Sequence, residues 1–407
     1  MNHYDANLDK NAANYVPLTP LSFLERAKDV YPNYEAIVYE DRKYTWNEVY
    51  KRAIKFASAL EKIGIKKGDT VSFLAFNTPE IFEAHYSVPM TGAVLNTINI
   101  RLDANTISYI LNHSDAKVLV VDRQLHTEVK KALSKLEKKI TIIDIQDKFA
   151  DQSKLKKIGE LEYESFLKTG DDDYVWKMPE DEWQAISLSY TSGTTGLPKG
   201  VMIDQNNLMY AQSAGKHVLP FSPADELFCF LPLCHIFERT TSVIGPIVNK
   251  TTVNFIESPD AFFENLQEVS PTYLAAVPRI YEKIFSNVNL LISDATSIGK
   301  LAYGRAMKIG KLKVKYERNS GKAPLFLIIE WYLWNLLVYR NILNLIGLGK
   351  VKRAVSGAAP ISEELIEWFH ALGLPLVEGY GMSETVAAMS VNLLDTNRVG
   401  TVGKPIP

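Results

Sequence analysis

Short apolar runs, rich in β-branched and aromatic residues, alternate with longer amphipathic segments along most of the chain. The pattern opens with Ala36-Ile-Val-Tyr39, a polar turn at Glu40 to Arg42, and Tyr44, which together predict a hairpin. Thr45-Trp-Asn-Glu48 has capping-box spacing, with hydroxyl and carboxylate each placed to satisfy a free amide, so a helix is predicted from there to about Ile63. Extended segments follow at Thr70 to Phe76, Leu95 to Ile100, Lys117 to Val121 and Ile140 to Ile145, with helices opening at Asn77-Thr-Pro79 and at Asp103. Strands alternating with helices in this way predict an α/β fold built on doubly wound, mostly parallel sheets with flanking helices.

The charged, glycine-punctuated run Lys154 to Asp173 reads as a surface connection and sets an expected boundary near residue 180. Beyond it the rhythm resumes, with strands at Leu227 to Leu231, Thr252 to Ile256, Tyr273 to Val277, Val351 to Val355 and Leu374 to Val377. The expected organisation is one α/β subdomain over residues 1–180, a second over 181–390, and the start of an incomplete third over 391–407. There is no repeat of fixed period, which excludes solenoid architectures. The most apolar stretch, Leu325 to Ile346, is interrupted by Glu330, Asn335, Arg340, Asn341 and Asn344, which would be costly at a bilayer centre, so no spanning helix is expected.

Composition narrows the field. With 407 residues, 46% of them apolar and 23% charged, the chain has the make-up of a folded protein with cores of normal size. A formal net charge of -2 gives no electrostatic case for nucleic acid. Cys229 and Cys234 have no metal-type spacing and are too few for a disulfide framework, and the polar N-terminus carries no secretory signal core. A reducing, cytoplasmic setting is expected. Lys300, Arg305, Lys308, Lys311, Lys313, Lys315, Arg318 and Lys322 stand against a single Glu317. That run reads equally as a solvated helix face and as a surface that attracts a membrane or phosphates.

The candidate chemistry begins at Leu188-Ser-Tyr-Thr-Ser-Gly-Thr-Thr-Gly-Leu-Pro-Lys-Gly-Val201. Ser and Thr hydroxyls, glycines that permit close backbone approach, and one lysine suit a polyphosphate. It is not a Walker A loop, because Pro198 stands where that pattern requires its second glycine. A second constellation, Glu378-Gly-Tyr-Gly-Met-Ser-Glu-Thr385, follows a short apolar strand, where open α/β sheets place ligands. Glycines beside Tyr380 let its ring lie against a planar base, and Glu384 offers a hard carboxylate to a divalent ion. The plain structural alternative is a glycine-rich turn capped by Ser383. A third piece, Val355-Ser-Gly-Ala-Ala-Pro360, leaves room for a flat ring, although Pro360 also suits an ordinary strand-to-helix turn. His235, within Leu231-Pro-Leu-Cys-His-Ile-Phe237, reads by itself as a structural histidine.

Taken together and in this order, these segments resemble the adenylate-forming superfamily of acyl-CoA synthetases, luciferases and peptide-synthetase adenylation domains. The resemblance implies that Thr191, Ser192, Gly193, Thr194, Thr195, Gly196 and Lys199 hold the phosphates of ATP, and that Thr191 and Glu384 bind Mg2+. It further implies that Gly357, Ala358 and Ala359 line the adenine face, that Tyr380 stacks on the base within Glu378 to Ser383, and that Gly381, Met382 and Ser383 reach the phosphates. His235 would border the acyl carboxylate. Lys199, His235 and Glu384 are thus the expected catalytic groups. The implied activity is that of an AMP-forming acyl-CoA synthetase, with ATP, Mg2+ and coenzyme A required.

Met382 replaces the proline of amino-acid adenylation domains, which favours an acid without an amine. Val277-Pro-Arg-Ile-Tyr-Glu-Lys283 and the apolar helix after Pro324 resemble long-chain fatty acid-CoA ligases. Asn14-Tyr-Val-Pro-Leu-Thr-Pro20 and Ala93-Val-Leu-Asn-Thr97 resemble short- and medium-chain or aromatic acyl-activating enzymes. The expected substrate is a medium- to long-chain fatty acid or other carboxylic acid. Expected contacts also include a membrane surface through segment 300–322 and a second copy in a homodimer. The family's small C-terminal domain, with its lysine, would lie past Pro407, so this chain alone is expected to be severely impaired. A non-catalytic nucleotide- or acyl-binding protein and an amino-acid adenylation module are the alternatives.

Overall fold

The computed structural model describes residues 4, 6–191, 196–218 and 220–407. Among them, two sheets carry the fold. The first uses β3 (Thr70–Leu74), β4 (Val94–Thr97), β5 (Ala116–Asp122), β6 (Thr141–Ile145), β7 (Leu161–Glu162), β8 (Ala185–Thr191) and β9 (Lys199–Asp204). Their order is β7-β6-β5-β3-β4-β8-β9, parallel throughout except for the β8–β9 hairpin. The second uses β1 (Glu35–Tyr39), β2 (Arg42–Thr45), β10 (Glu226–Cys229), β11 (Thr252–Phe255), β12 (Tyr273–Ala276), β13 (Arg353–Ser356), β14 (Leu376–Met382), β15 (Ala387–Val391) and β16 (Lys404–Pro405). Here the order is β16-β15-β14-β13-β12-β10-β11-β1-β2, with a parallel centre and antiparallel edges. The expected α/β fold with two mostly parallel sheets and flanking helices is what forms.

The strands of each sheet do not divide at residue 180. The β1–β2 hairpin leaves the first region to pair with β11, through Ile37↔Val253, while β8 and β9 join the first sheet through Leu95↔Ser187. Residues past 391 extend the second sheet through β16. Local periodicity specifies that a segment is extended; long-range pairing decides its neighbour, and that information is absent from the local pattern. One hydrophobic core accordingly runs through both sheets, from Leu21 to Val391.

The capping box forms as its spacing predicts: the Glu48 amide donates to Thr45 Oγ1 at 3.3 Å and the Thr45 amide to Glu48 Oε2 at 2.7 Å, opening the helix Trp46–Lys62. Asp103 caps the helix Ala104–His113 by accepting from the Asn105 and Thr106 amides. The helix Pro79–Met90 is buried on every side between the layers. Its Glu80 and Glu83 are neutralised by Arg42 and Arg52. Residues 154–173 correct the reading as a plain surface connection. They contain β7 and the helix Tyr163–Leu167, whose Tyr163 ring stacks on Phe56 at 4.7 Å while Glu164 pairs with Arg52. Charge on the outer face disguised three buried apolar positions, Tyr163, Phe166 and Leu167.

Candidate functional site

The site forms at the carboxyl ends of β13 and β14, adjacent parallel strands in register at Val355↔Val377 and Ser356↔Glu378. Chain leaving β13 passes through Gly357 and Ala358, level with Gly379 and Tyr380 on its neighbour. A Cβ on Gly357 would meet nothing closer than 3.6 Å, so packing within the protein does not demand glycine there; its absent side chain leaves open volume. Gly381 differs. A Cβ there would lie 1.5 Å from the Ala387 carbonyl oxygen, so glycine is what permits β14 to fold back against β15. A register shift between Tyr380 and Gly381 re-aims the strand and leaves the Tyr380 ring half exposed.

These segments line one cavity of about 430 Å³. Its walls hold Gly357, Ala358, Gly379, Tyr380, Gly381, Met382, Ser383 and His235, so most of the sequence candidates of the second and third motifs converge with the histidine. Ala359 is exposed next to this lining and not part of it. Glu378 is buried and accepts from the Ile361 backbone, and burial raises its pKa above the ordinary carboxylate value. It faces protein where the sequence suggested ligand.

The hydroxyl-rich loop joins β8 to β9. Thr191 pairs across the hairpin with Lys199, and the turn Ser383–Thr385 packs against β9. Two motifs nearly two hundred positions apart in sequence are thereby neighbours. Ser192, Gly193, Thr194 and Thr195 lie outside the described residues. Gly196, Lys199 and Glu384 are exposed, and neither Lys199 nor Glu384 has an ion-pair partner among the described residues. No group of three or more His, Cys, Asp and Glu side chains able to hold a metal ion occurs among those residues. Magnesium needs no such cage, because one or two protein oxygens plus substrate phosphates suffice. Thr191 and Glu384 fit that sparse donor set.

His235 is the N-cap residue of the helix Ile236–Arg239, and its Nε2 lies 3.4 Å from the Asn99 amide nitrogen. The residue keeps an exposed edge, yet partial desolvation, with the positive charges of Arg101 and Arg239, lowers its pKa from the ordinary 6.5 and favours the neutral ring at pH 7. Behind it, the buried Arg239 donates to Ser187 Oγ at 2.7 Å and Thr97 Oγ1 at 2.6 Å. Desolvation pushes its pKa down to about 10. The cation ties the histidine segment to β4 and to β8, the strand that leads into the hydroxyl-rich loop. Glu238, equally buried, accepts from Ser242 and has its pKa pushed up to about 7 by desolvation. Sequence reasoning missed Arg239, Glu238, Gln212, Phe221 and Tyr273; no motif spacing marks them, and only the packing brings Gln212, Phe221 and Tyr273 to the cavity and buries Glu238 and Arg239 behind it.

The model of the AMP-binding enzyme family matches residues 24–407. The chain belongs to the AMP-binding enzymes. Among curated proteins, this family member is 42% identical to an acetate–CoA ligase of Humulus lupulus over 239 residues, 56% of this chain and 42% of that one. It is 28% identical to a peroxisomal benzoate–CoA ligase of Arabidopsis thaliana, over 96% of this chain and 73% of the relative. Of solved structures, an anthranilate CoA ligase in complex with anthranoyl-AMP superposes with a TM-score of 0.74 at 20% identity, covering 98% of this chain and 66% of that one. The adenylate-forming architecture is therefore shared. The matched stretch spans less than half of the Humulus relative's length.

Proposed function

We propose that the protein activates a carboxylic acid with ATP and passes the acyl group to coenzyme A. In the first step a carboxylate oxygen attacks the α-phosphorus and the bond to pyrophosphate breaks. In the second the thiolate of coenzyme A attacks the acyl carbon and AMP leaves. The observation that carries this reading is the single cavity joining His235, Gly357–Ala358 and Gly379–Ser383 beside the β8–β9 hairpin. Gly357 leaves space for the adenine, and Tyr380 supplies a ring to stack on it. Lys199, with the hydroxyls and amides of its loop, would offset charge growing on the departing pyrophosphate. Thr191 and Glu384 would hold magnesium, which when bound neutralises phosphate charge. Neutral His235 would border the acyl carboxylate without repelling or trapping it.

The acid itself has two supports that pull apart. The segment 277–283 and the helix after Pro324 favour a medium- to long-chain fatty acid; the acetate- and benzoate-CoA ligases among the relatives favour a compact one. Calorimetry with non-hydrolysable acyl-adenylate analogues, from acetyl to palmitoyl and including benzoyl, tests the proposal. Binding of any member, lost when the AMP portion is removed, supports it. Affinity rising to palmitoyl selects the fatty acid, and a maximum at acetyl to benzoyl selects the compact acid. No binding of AMP or any analogue by the folded chain overturns the proposal.

The reading extends to a peripheral lipid contact. The helix Leu325–Trp334 and the turn after it expose Leu325, Phe326, Ile329, Tyr332, Leu333, Leu336 and Leu337. Lys308, Lys311 and Lys315 are exposed on the adjoining helix Ser297–Ser320. An apolar face beside unpaired cations suits an anionic lipid surface.

A further inference from the structure

The floor of the cavity carries polar chemistry that neither nucleotide binding nor a plain alkyl chain uses. Tyr273 begins β12, and Val277 just beyond that strand also lines the cavity. At about 3.3 Å per strand residue, Tyr273 sits roughly 13 Å below the rim where Gly357 and Tyr380 stand. Phe221 packs on the Tyr273 ring with centroids 4.8 Å apart. Gln212, on the helix Gln205–Val218, reaches the same end: its Nε2 and Phe221 Cε2 lie 3.7 and 3.4 Å from the point that a Cβ on Gly245 would occupy.

Gln212 and Tyr273 are each only 6% exposed, both line the cavity, and neither side chain has a hydrogen-bond partner among the described residues. Neither group's polar atoms are sealed away from solvent, so the amide and the phenol open to the pocket, where water occupies them until a ligand oxygen takes its place. Both groups donate and accept, which matches a neutral oxygen better than a charged one. Arg353, whose positive charge acts on Tyr273, is engaged by Asp225 at 3.8 Å and lies on the neighbouring strand β13.

Resting on the acid-activating reading, we propose that Gln212 and Tyr273 select a compact acid whose far end carries a hydroxyl or carbonyl oxygen, seated against the packed Phe221 and Tyr273 rings. The carboxylate would lie toward His235 and the polar end at the floor. A pocket built to bond an oxygen discriminates strongly against the analogue lacking it, whereas an apolar pocket separates substrates that differ by one methylene only about 10–200-fold.

The test is calorimetry on the full chain with acyl-sulfamoyl adenosines in matched pairs: 4-hydroxybenzoyl against 4-methylbenzoyl, and 6-hydroxyhexanoyl against heptanoyl. AMP alone is the control. The hydroxyl member of each pair is expected to bind at least about tenfold more tightly. Gln212→Leu, of similar volume, should erase that preference while AMP affinity and thermal midpoint stay unchanged, and Tyr273→Phe should reduce it. Equal or tighter binding of the methyl members, or a preference that survives Gln212→Leu, overturns the inference, leaving only water on these groups. AMP binding without the preference sinks this inference alone. Failure of AMP and every analogue to bind a folded chain sinks the acid-activating reading with it.

Discussion

Ala358, Val386 and Ala387 all line the cavity and all hold left-handed backbone, at φ 68°, 54° and 80°. For residues with a Cβ this costs about 1–2 kcal/mol each, and Val386, being β-branched, suffers most. Such strain concentrates where the surrounding fold over-determines a geometry. Ala358→Gly should therefore leave the urea midpoint unchanged or raised, since relief of strain offsets glycine's greater unfolded-state entropy; a loss beyond about 1 kcal/mol would contradict the strain. Exposed Lys199 and Glu384 give a contrasting case. Alanine at either position is expected to weaken magnesium–ATP binding by about tenfold or more, on the scale of a lost charge-assisted contact, with thermal unfolding unchanged. Calorimetric affinities equal to wild type in both variants would remove these residues from the site.

At the scale of elements, the short helix Ile236–Arg239 makes folding stability depend on pH. Glu238 holds a folded pKa near 7 against an ordinary 4.5, because burial penalises its charged form and the described residues give it no cation. The folded state then binds this proton more tightly than the unfolded chain does. Its stabilising effect is complete below about pH 4.5 and is lost as pH rises to 7 and beyond. Glu238→Gln, which can still accept from Ser242, should remove that loss. The gap between variant and wild type in urea unfolding should widen from pH 5 to pH 8 by an amount on the order of 2–3 kcal/mol. Parallel pH curves for the two proteins would show that Glu238 is not held neutral.

On the scale of the whole molecule, exposed apolar side chains gather most densely along the helix Leu325–Trp334 and the turn after it. Phe326 and Leu337 are each 67% exposed, and no helix among the described residues is long and apolar enough to cross a membrane. The chain is expected to sediment with vesicles containing anionic lipid and much less with neutral ones. Phe326→Glu combined with Leu337→Glu should abolish the association and leave AMP affinity intact. Sedimentation unaffected by this pair would place the lipid contact elsewhere, and none in wild type would dismiss it.

The sequence by itself determined many of the strands and helices, though not those within 154–173, because apolar periodicity and caps such as Thr45–Glu48 and Asp103 act within a few residues. It also marked the three motifs proposed to meet phosphate, adenine and carboxylate, since hydroxyls, glycines and a lysine at fixed spacing carry their chemistry locally. Tertiary structure decided what no local pattern holds. It sent β1 and β2 to the second sheet and β8 and β9 to the first, turned Glu378 inward to the Ile361 amide, and set the turn Ser383–Thr385 against β9. It alone brought Gln212, Phe221 and Tyr273 to one floor, and Arg239 onto Thr97 and Ser187. Most of these contacts join residues dozens to hundreds of positions apart, and close packing of the whole chain selects them.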